Sequence, residues 1–302
     1  MYDVIIIGGG PAGLTAGIYT GRAKLKTLLL AGNVAGGQIF LTYQVDNYPG
    51  FPESITGPDL VDRMVKQVKR FGAEFREQEV TKVDFSSQPY KVYIGDEMHE
   101  TNSVIIATGS NNRLLGLESE TRLMGRGVFV CATCDAALYE DLKVVAVGGG
   151  ESALQEALDI TKFANEVVIV HRNSDFTAAK YLIDEVEANS KITKMMRHTV
   201  EEILGENYVD GIRVRNRDTG EGLVIKTDGV LIAIGWIPNT GLFKDQLELT
   251  EAGYIVADSV STSKPGVFVA GDLNDTKYRQ LVTACSSGCK AAIEADKYIS
   301  QK

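Results

Sequence analysis

Residues 4–13 read VIIIGGGPAG, a short apolar run that passes directly into a glycine-rich turn. β-Branched residues dominate the run, which is typical of a parallel strand buried on both faces. The turn fits the pattern G-x-G-x-x-G, and the residues after it predict a helix at 14–22 and a second strand at 27–30. In this strand–turn–helix–strand setting the pattern indicates a dinucleotide-binding turn.

The glycines of this turn have distinct physical tasks. Gly8 permits the tight turn, Gly10 lets the backbone approach a pyrophosphate, and Gly13 lets the helix pack closely on the strand. Pro11 and Ala12 complete the turn, where the anion meets free N–H groups at the helix N-terminus. We therefore predict that Gly8, Gly10, Pro11, Ala12 and Gly13 bind a dinucleotide.

The same pattern returns in the middle of the chain, where residues 143–147 predict a strand and residues 148–153 read GGGESA. An alanine replaces the third glycine, which the pattern allows. Two such turns in one chain indicate a flavin dinucleotide and a nicotinamide dinucleotide. For either turn, the alternative is a glycine-rich turn that binds nothing. The residues predicted to bind the second dinucleotide are Gly148, Gly150, Ser152 and Ala153.

The chain of 302 residues is too long for one typical domain. Apolar strands that end in glycine, at 104–109 and 230–235, suggest crossings between domains. We expect an α/β fold of two Rossmann-like, three-layer domains, the second inserted into the first. The FAD-binding domain is expected at 1–112 and 240–302, and a pyridine-nucleotide-binding-like domain that carries a redox disulfide at 113–239.

Composition excludes several classes of protein. Hydrophobic residues make up 44% of the chain, which excludes a disordered chain, and 40 acidic against 31 basic residues disfavour binding to nucleic acid. No apolar run reaches the roughly 18 residues that a membrane span needs. The sequence starts on a strand-like run, without the basic start and cleavable apolar stretch of a signal peptide, so we expect a cytoplasmic protein.

The four cysteines form two pairs. Cys131 and Cys134 make a C-x-x-C before a helix-like stretch, a position that favours the thiolate needed for disulfide exchange. The alternative, half of a zinc site, would need a second ligand pair, so no metal is predicted. Cys285 and Cys289 share one helix face and are interpreted as packing residues, with a second redox pair as the alternative.

An ordered set of motifs resembles the low-molecular-weight thioredoxin reductases over essentially the whole chain. Besides the two glycine turns, these motifs are GGQ at 36–38, NYPG at 47–50, ATG at 107–109, CATCD at 131–135, GD at 271–272 and YRQ at 278–280. The resemblance implies FAD in the first domain, a nicotinamide dinucleotide in the second, and a redox-active disulfide. It also implies a homodimer that reduces thioredoxin or a thioredoxin-like protein.

The same resemblance assigns further residues. Cys134 would face the flavin, Cys131 would attack the substrate disulfide, and Asp135 would protonate the leaving thiolate or the flavin. The alternative for Asp135 is a simple acidic residue in the first turn of a helix. The FAD contacts implied by the resemblance are Gly37, Gln38, Asn47, Ala107, Thr108, Gly109, Gly271, Asp272, Arg279 and Gln280.

The electron donor is where the sequence departs from the family. Members that use NADPH carry His-Arg-Arg after the second strand and another arginine four residues later. Residues 171–177 read HRNSDFT, so His171 and Arg172 match, whereas Asn173 and Thr177 replace the other arginines. Losing two charged hydrogen bonds to a 2′-phosphate costs about 3–6 kcal/mol. We therefore expect weak use of NADPH and little preference for it over NADH.

The sequence supports three hypotheses for the function of the chain. The first is an FAD-dependent thioredoxin-disulfide reductase in which His171 and Arg172 contact the nicotinamide nucleotide. The second is the same reductase supplied with electrons by reduced ferredoxin or another donor. The third is a flavin-containing redox sensor, in which the Cys131–Cys134 pair changes partner binding and does not turn over.

Overall fold

A computed structural model describes residues 1–42 and 44–302 of the chain. Its strands are β1 Tyr2–Ile7, β2 Thr27–Leu30, β3 Glu74–Arg76, β4 Lys82–Asp84, β5 Tyr90–Ile94, β6 Glu97–Ile106, β7 Ser110–Asn112, β8 Val128–Phe129, β9 Lys143–Val147, β10 Glu166–His171, β11 Ile192–Met196, β12 His198–Leu204, β13 Gly211–Asn216, β14 Gly222–Lys226, β15 Gly229–Ile232, β16 Trp236–Pro238, β17 Ala257–Asp258, β18 Ser261–Thr262 and β19 Val267–Val269. Its α-helices are α1 Pro11–Arg22, α2 Gly57–Arg70, α3 Glu118–Leu123, α4 Ala132–Asp135, α5 Glu151–Ile160, α6 Lys180–Ala188 and α7 Leu281–Ser300. Short 3₁₀ helices lie at Gly37–Leu41, Ala136–Tyr139 and Gly241–Phe243.

The chain divides into two compact units. Unit 1 comprises Met1–Asn111 and Ile237–Lys302, and unit 2 comprises Asn112–Trp236, so unit 2 is inserted into the sequence of unit 1. The boundaries expected from the sequence lie slightly further along the chain.

Unit 1 is built on a sheet whose main path runs β17-β18-β19-β6-β1-β2-β3, with β5 also paired to β6 and to β4. The strands β1, β2, β6 and β19 are parallel where they pair, and Ile7 stands opposite Ile106. Parallel strands therefore end together at one edge, directly before the first glycine turn. In α/β sheets, ligands bind at this carboxyl edge.

Alternate residues of β1 enter separate cores on the two faces of the sheet. Ile6 packs in one core with residues of α1, α2 and α7, whereas Ile5 and Ile7 pack in the other beside Phe85 and Phe243. All three isoleucines are at most 3% exposed. Burial on both faces explains why residues 4–7 of β1 are all apolar, and it gives the three layers that the sequence predicts.

Unit 2 has a parallel sheet of order β11-β10-β9-β15-β8 and a separate antiparallel sheet of order β12-β13-β14. Ala153 and Leu154 of α5 and Leu182 of α6 pack on one face of the parallel sheet. Ile203 and Ile212 of the antiparallel sheet pack on its other face. Together with unit 1, this arrangement confirms the predicted α/β fold class.

The closing helix α7 begins with a capping box, in which the Gln280 side chain and Thr283 satisfy each other's backbone N–H groups. α7 packs so closely on α1 that a side chain at Gly288 would collide with the Ala12 carbonyl. Among the described residues, no helix is both long and apolar enough to cross a membrane.

Candidate redox site and dinucleotide turns

The first glycine turn is held by backbone contacts at two of its three glycines. Gly8 has φ +117°, and a Cβ there would collide with the Ala107 carbonyl. A Cβ at Gly13 would collide with the Gly8 carbonyl. Gly10 differs, because it has φ −73° and a Cβ there would have no atom within 4 Å. Among residues 1–42 and 44–302, no atom near Gly10 requires glycine at this position.

The open space above Gly10 lies at the N-terminus of α1. Gly10 is the N-cap residue and, in the described part of the chain, no side chain caps this helix. The first backbone N–H groups of α1 are therefore available to an anion, and a side chain at Gly10 would fill the space that the anion needs. These residues fit the pyrophosphate of a dinucleotide.

Several residues that the family resemblance assigned to FAD lie around this turn. A Cβ at Gly37 would be 3.6 Å from Gly10 Cα, and one at Gly271 would be 3.1 Å from Ala12 Cβ. Ala107 underlies Gly8, as described above. The structure therefore brings three separate segments of unit 1 to the first glycine turn.

The polar residues of the same set form paired contacts. Gln38 donates to Asn111 at 3.1 Å, and Asn47 donates to Gln280 at 3.4 Å. The Thr108 hydroxyl donates to the Asn239 carbonyl at 2.8 Å. Gly109, the next residue, adopts φ +66°, which favours glycine. These contacts fix the side chains that would line a flavin site.

Asp272 and Arg279 carry the charges of this region. Burial raises the pKa of Asp272 to about 6, with Asp275 adding to the rise and Arg279 opposing it. Arg279 donates to the Tyr254 hydroxyl at 3.1 Å and has a left-handed φ of +46°. Such strain in a residue other than glycine is typical of functional sites.

In unit 2, Cys131 and Cys134 are joined in a disulfide with a Cα–Cα distance of 5.4 Å. Cys131 precedes α4, and its sulfur accepts a hydrogen bond of 3.2 Å from the Cys134 backbone N–H. After reduction, this donor would stabilise a thiolate at Cys131. The backbone therefore favours Cys131 as the nucleophile of the pair, in line with the role that the family resemblance gives it.

A glutamate from the neighbouring helix orders the start of α4. Glu156 lies on α5, and its carboxylate accepts a hydrogen bond of 3.0 Å from the Ala132 backbone N–H. This contact fixes Ala132, the first of the two residues between the cysteines, relative to α5, the helix that follows the second glycine turn. No sequence motif pointed to Glu156, because Glu156 and Ala132 are 24 residues apart in the sequence.

Asp135 directly follows the redox pair and is largely buried. Burial raises its pKa to about 6, so the carboxyl holds a proton at a pH where an exposed aspartate has lost it. The Tyr139 ring stacks on the Phe129 ring with a centroid distance of 4.6 Å. The pKa of Tyr139 is also raised, mainly by burial and further by the charge of Asp135. A buried, protonatable group beside a disulfide suits proton transfer to a leaving thiolate.

The second glycine turn repeats the geometry of the first. Gly148 has φ +149°, and a Cβ there would collide with the Ala233 carbonyl and crowd Ala153. Gly150 is the N-cap of α5, and the nearest atom to a Cβ there, among the residues described, would be Thr177 Oγ1 at 3.8 Å. Ser152 lies in the first turn of α5. The turn therefore also leaves space for a pyrophosphate at a helix N-terminus.

His171 and Thr177 both contact Gly149, the middle glycine of this turn. A Cβ at Gly149 would run into the His171 imidazole, and burial lowers the pKa of that ring. Thr177 donates its backbone N–H to the Gly149 carbonyl at 2.8 Å. The Thr177 hydroxyl donates to the same carbonyl at 3.3 Å. Thr177, which stands where the family pattern has an arginine, is therefore bound to the turn, a role that the sequence motif did not indicate.

Cys285 and Cys289 are free thiols on α7. Cys285 is 9% exposed; its thiol donates to the Pro11 carbonyl at 3.9 Å and accepts from the Tyr48 hydroxyl at 3.7 Å. Burial raises the pKa of Tyr48 to about 12, and the neighbouring Cys285 thiol adds to the rise. These contacts agree with the interpretation of Cys285 as a packing residue of the α1–α7 interface. In the residue ranges that the structure covers, no three potential metal-ligating side chains come together.

Comparisons with known proteins agree with this geometry. A family profile described as pyridine nucleotide-disulphide oxidoreductase matches residues 2–288. A thioredoxin reductase of Rickettsia conorii is 46% identical over 304 residues, which covers 99% of this chain and 98% of the relative. A bifunctional thioredoxin reductase/thioredoxin of Mycobacterium leprae is 41% identical and covers 100% of this chain and 66% of the relative. The crystal structure of a thioredoxin reductase from Streptococcus pyogenes has a TM-score of 0.94 at 36% identity and covers 100% of this chain and 99% of that one.

Proposed function

Because this chain belongs to the pyridine nucleotide-disulphide oxidoreductases, and among them to the thioredoxin reductases, we propose that it reduces the disulfide of a thioredoxin through Cys131 and Cys134. The observation that carries this proposal is the Cys131–Cys134 disulfide beside Asp135, whose pKa is raised to about 6. We propose FAD in unit 1 and a pyridine nucleotide in unit 2 as the cofactor and electron donor.

The residues of unit 1 fit FAD. The open space above Gly10 and the free N–H groups of α1 would hold its pyrophosphate, and Gln38 and Asp272, which directly follow Gly37 and Gly271, offer polar groups beside the turn. Arg279, which donates to the Tyr254 hydroxyl, is proposed as a further FAD contact. When bound, FAD supplies two-electron transfer between a nicotinamide and a disulfide. In unit 2, Gly148 and Gly150 would hold the nicotinamide nucleotide in the same way.

The exchange with thioredoxin follows from the cysteine geometry. The Cys131 thiolate, stabilised by the Cys134 N–H, attacks one sulfur of the thioredoxin disulfide, and the other thioredoxin sulfur leaves as a thiolate. Cys134 then attacks the Cys131 sulfur of the mixed disulfide. This restores the Cys131–Cys134 bond and releases the second thioredoxin thiol. Two electrons pass from the cysteine pair to thioredoxin, and two protons accompany them.

Asp135 is the proposed source of one of these protons. A leaving thiolate is expelled faster when an acid can protonate it, and an acid with a pKa near the working pH is the most effective. Burial places the pKa of Asp135 at about 6, within reach of neutral pH. Asp135 is therefore proposed as the general acid of the exchange.

The partner and the assembly are parts of the same proposal. The Mycobacterium leprae relative is named as a reductase and a thioredoxin together, which supports thioredoxin as the partner of this chain. We further propose a homodimer, as the family resemblance implies, and a cytoplasmic reaction, because free thiols persist in reducing compartments. The alternatives of reduced ferredoxin as donor and of a redox sensor are not favoured by relatives that are named as reductases.

The experiment that tests this function separates the two cysteine pairs. Cys131→Ser and Cys134→Ser should each abolish thioredoxin reduction while the protein still binds FAD, because neither cysteine belongs to the FAD residues of unit 1. Cys285→Ala and Cys289→Ala are the matched controls and should leave turnover largely intact. Normal thioredoxin turnover in either of the first two variants would remove the C-x-x-C from the mechanism. Loss of turnover in a control would show that α7 has more than a packing role.

A further inference from the structure

Two neighbouring strands of unit 2 end side by side. β10 and β11 are parallel, with His171 opposite Met196, so the next residues, Arg172 and Arg197, leave the sheet at the same edge. Arg197 is the single residue between β11 and β12, and it turns the chain with a φ of +60°. An arginine from a distant part of the sequence therefore reaches the loop after β10.

A third arginine joins them from the end of β13. The Arg217 backbone N–H donates to the Arg197 carbonyl at 2.8 Å, and the Arg217 guanidinium donates to the Arg172 carbonyl at 2.9 Å. The Arg197 backbone N–H donates to the Asn173 carbonyl at 3.1 Å. These bonds tie the three segments together around a cavity of about 420 Å³, which is lined by Arg172, Asn173, Ser174, Arg197, Arg217 and Asp218.

The charge of this arginine cavity suits an anion. Three guanidinium groups face one carboxylate, that of Asp218, to which Arg197 donates at 3.0 Å. Asp175, the acidic residue of the loop after β10, is not among the residues that line the cavity, and its carboxylate accepts a hydrogen bond of 2.6 Å from the Ser174 hydroxyl. A positive excess therefore remains in the cavity, and guanidinium forks match phosphate oxygens well.

The position of the arginine cavity identifies the group that it would bind. In a Rossmann unit the pyrophosphate lies at the first helix N-terminus, and the adenosine ribose lies beside the end of the second strand. Here those elements are the N-terminus of α5 and the end of β10 at His171. The cavity begins at the next residue, Arg172. A phosphate at the ribose 2′ position is the anion that this location fits.

We propose that Arg197 and Arg217, together with Arg172, bind the 2′-phosphate of NADPH and make NADPH the preferred donor. The inference deepens the proposed function, since it rests on a pyridine nucleotide in unit 2. It opposes the expectation of weak NADPH use that was drawn from residues 171–177 alone, because two arginines at the ends of other strands replace those missing at Asn173 and Thr177. Arg197 and Arg217 are thus specificity-determining residues.

The test measures binding without turnover. Adenosine 2′,5′-bisphosphate and adenosine 5′-diphosphate are titrated into the FAD-loaded protein by calorimetry. Arg197→Gln and Arg217→Gln should each weaken binding of the 2′,5′-bisphosphate by about 10-fold or more, since a hydrogen bond to a charged group contributes about 1.5–3 kcal/mol. Binding of the 5′-diphosphate should stay within about 2-fold of the wild type.

The matched control is Arg213→Gln, which removes an exposed arginine of β13 that pairs with Glu202 outside the cavity. This variant should bind both probes as the wild type does. Equal wild-type affinity for the two probes, or an unchanged preference in the Arg197→Gln, Arg217→Gln double variant, would overturn the inference. Tight, arginine-dependent binding in a protein that fails to reduce thioredoxin would instead support this inference and refute the proposed function.

Discussion

At the level of single residues, Asp135 links the chemistry of the site to the stability of the fold. A carboxyl whose pKa is raised on folding binds its proton more tightly in the folded chain than in the unfolded chain. The contribution of Asp135 to folding stability is therefore fully present below the unfolded pKa near 3.8 and is lost as the pH rises through the folded value of about 6. Above that pH the charged, buried Asp135 costs up to about 3 kcal/mol.

Asp135→Asn should consequently stabilise the protein at pH 7.5, by up to about 3 kcal/mol, and have little effect at pH 4. Chemical denaturation of wild type and variant at both pH values measures the difference. Thioredoxin turnover should fall by about 10²-fold, because the variant has no proton to transfer. Full turnover in the variant would reduce Asp135 to a simple acidic residue of the first helical turn.

The sequence identified Cys131, Cys134 and Asp135 because these residues are neighbours in the chain and match a known motif. It did not identify Arg197 or Arg217. Their approach to Arg172 depends on the register of β10 with β11 and on the turn at Arg197. Such contacts between distant segments have no local sequence signal, which is why the loop after β10 appeared to have lost its phosphate-binding side chains.

At the level of elements, the first glycine turn separates the requirements of folding from those of binding. Gly8 needs a left-handed φ and has no room for a side chain, whereas Gly10 has an ordinary φ and open space. The two glycines of one motif are therefore expected to respond differently to the same substitution.

Gly8→Ala should destabilise the protein by about 2 kcal/mol or more, because its backbone is strained for any other residue and a Cβ meets Ala107. Gly10→Ala should leave the stability of the FAD-free protein unchanged within about 1 kcal/mol and weaken FAD binding by at least about 10-fold. Thermal unfolding of the FAD-free proteins and flavin fluorescence titration measure the two effects. Wild-type FAD affinity in Gly10→Ala would exclude this turn as the pyrophosphate site.

Elements with strong local patterns were predictable, and others were not. The buried strand β1 and the two glycine turns follow from apolar runs and glycine spacing. The antiparallel sheet β12–β14 was not predicted. β13 carries exposed charged residues, such as Arg213 and Arg215, on one side. Its apolar residues are explained only by their packing on the parallel sheet of unit 2, which the sequence did not reveal.

At the level of the whole molecule, the two glycine turns lie in different units of one chain. The turn at Gly8–Gly13 belongs to unit 1, and both the turn at Gly148–Ala153 and the Cys131–Cys134 disulfide belong to unit 2. The sequence indicated this division because the same motif occurs twice. A flavin and a disulfide in one chain each accept two electrons, so the loaded protein should store four.

Anaerobic titration of the FAD-loaded protein with NADPH tests the central claim most directly, with NADH and reduced ferredoxin as parallel donors. We predict that NADPH reduces the protein at lower concentrations than NADH, that full reduction takes about two equivalents, and that Cys134→Ser takes about one. Addition of oxidised thioredoxin should then reoxidise the wild type but not the variant. Reduction by ferredoxin alone, or an uptake of only one equivalent by the wild type, would contradict transfer from a pyridine nucleotide to the Cys131–Cys134 pair.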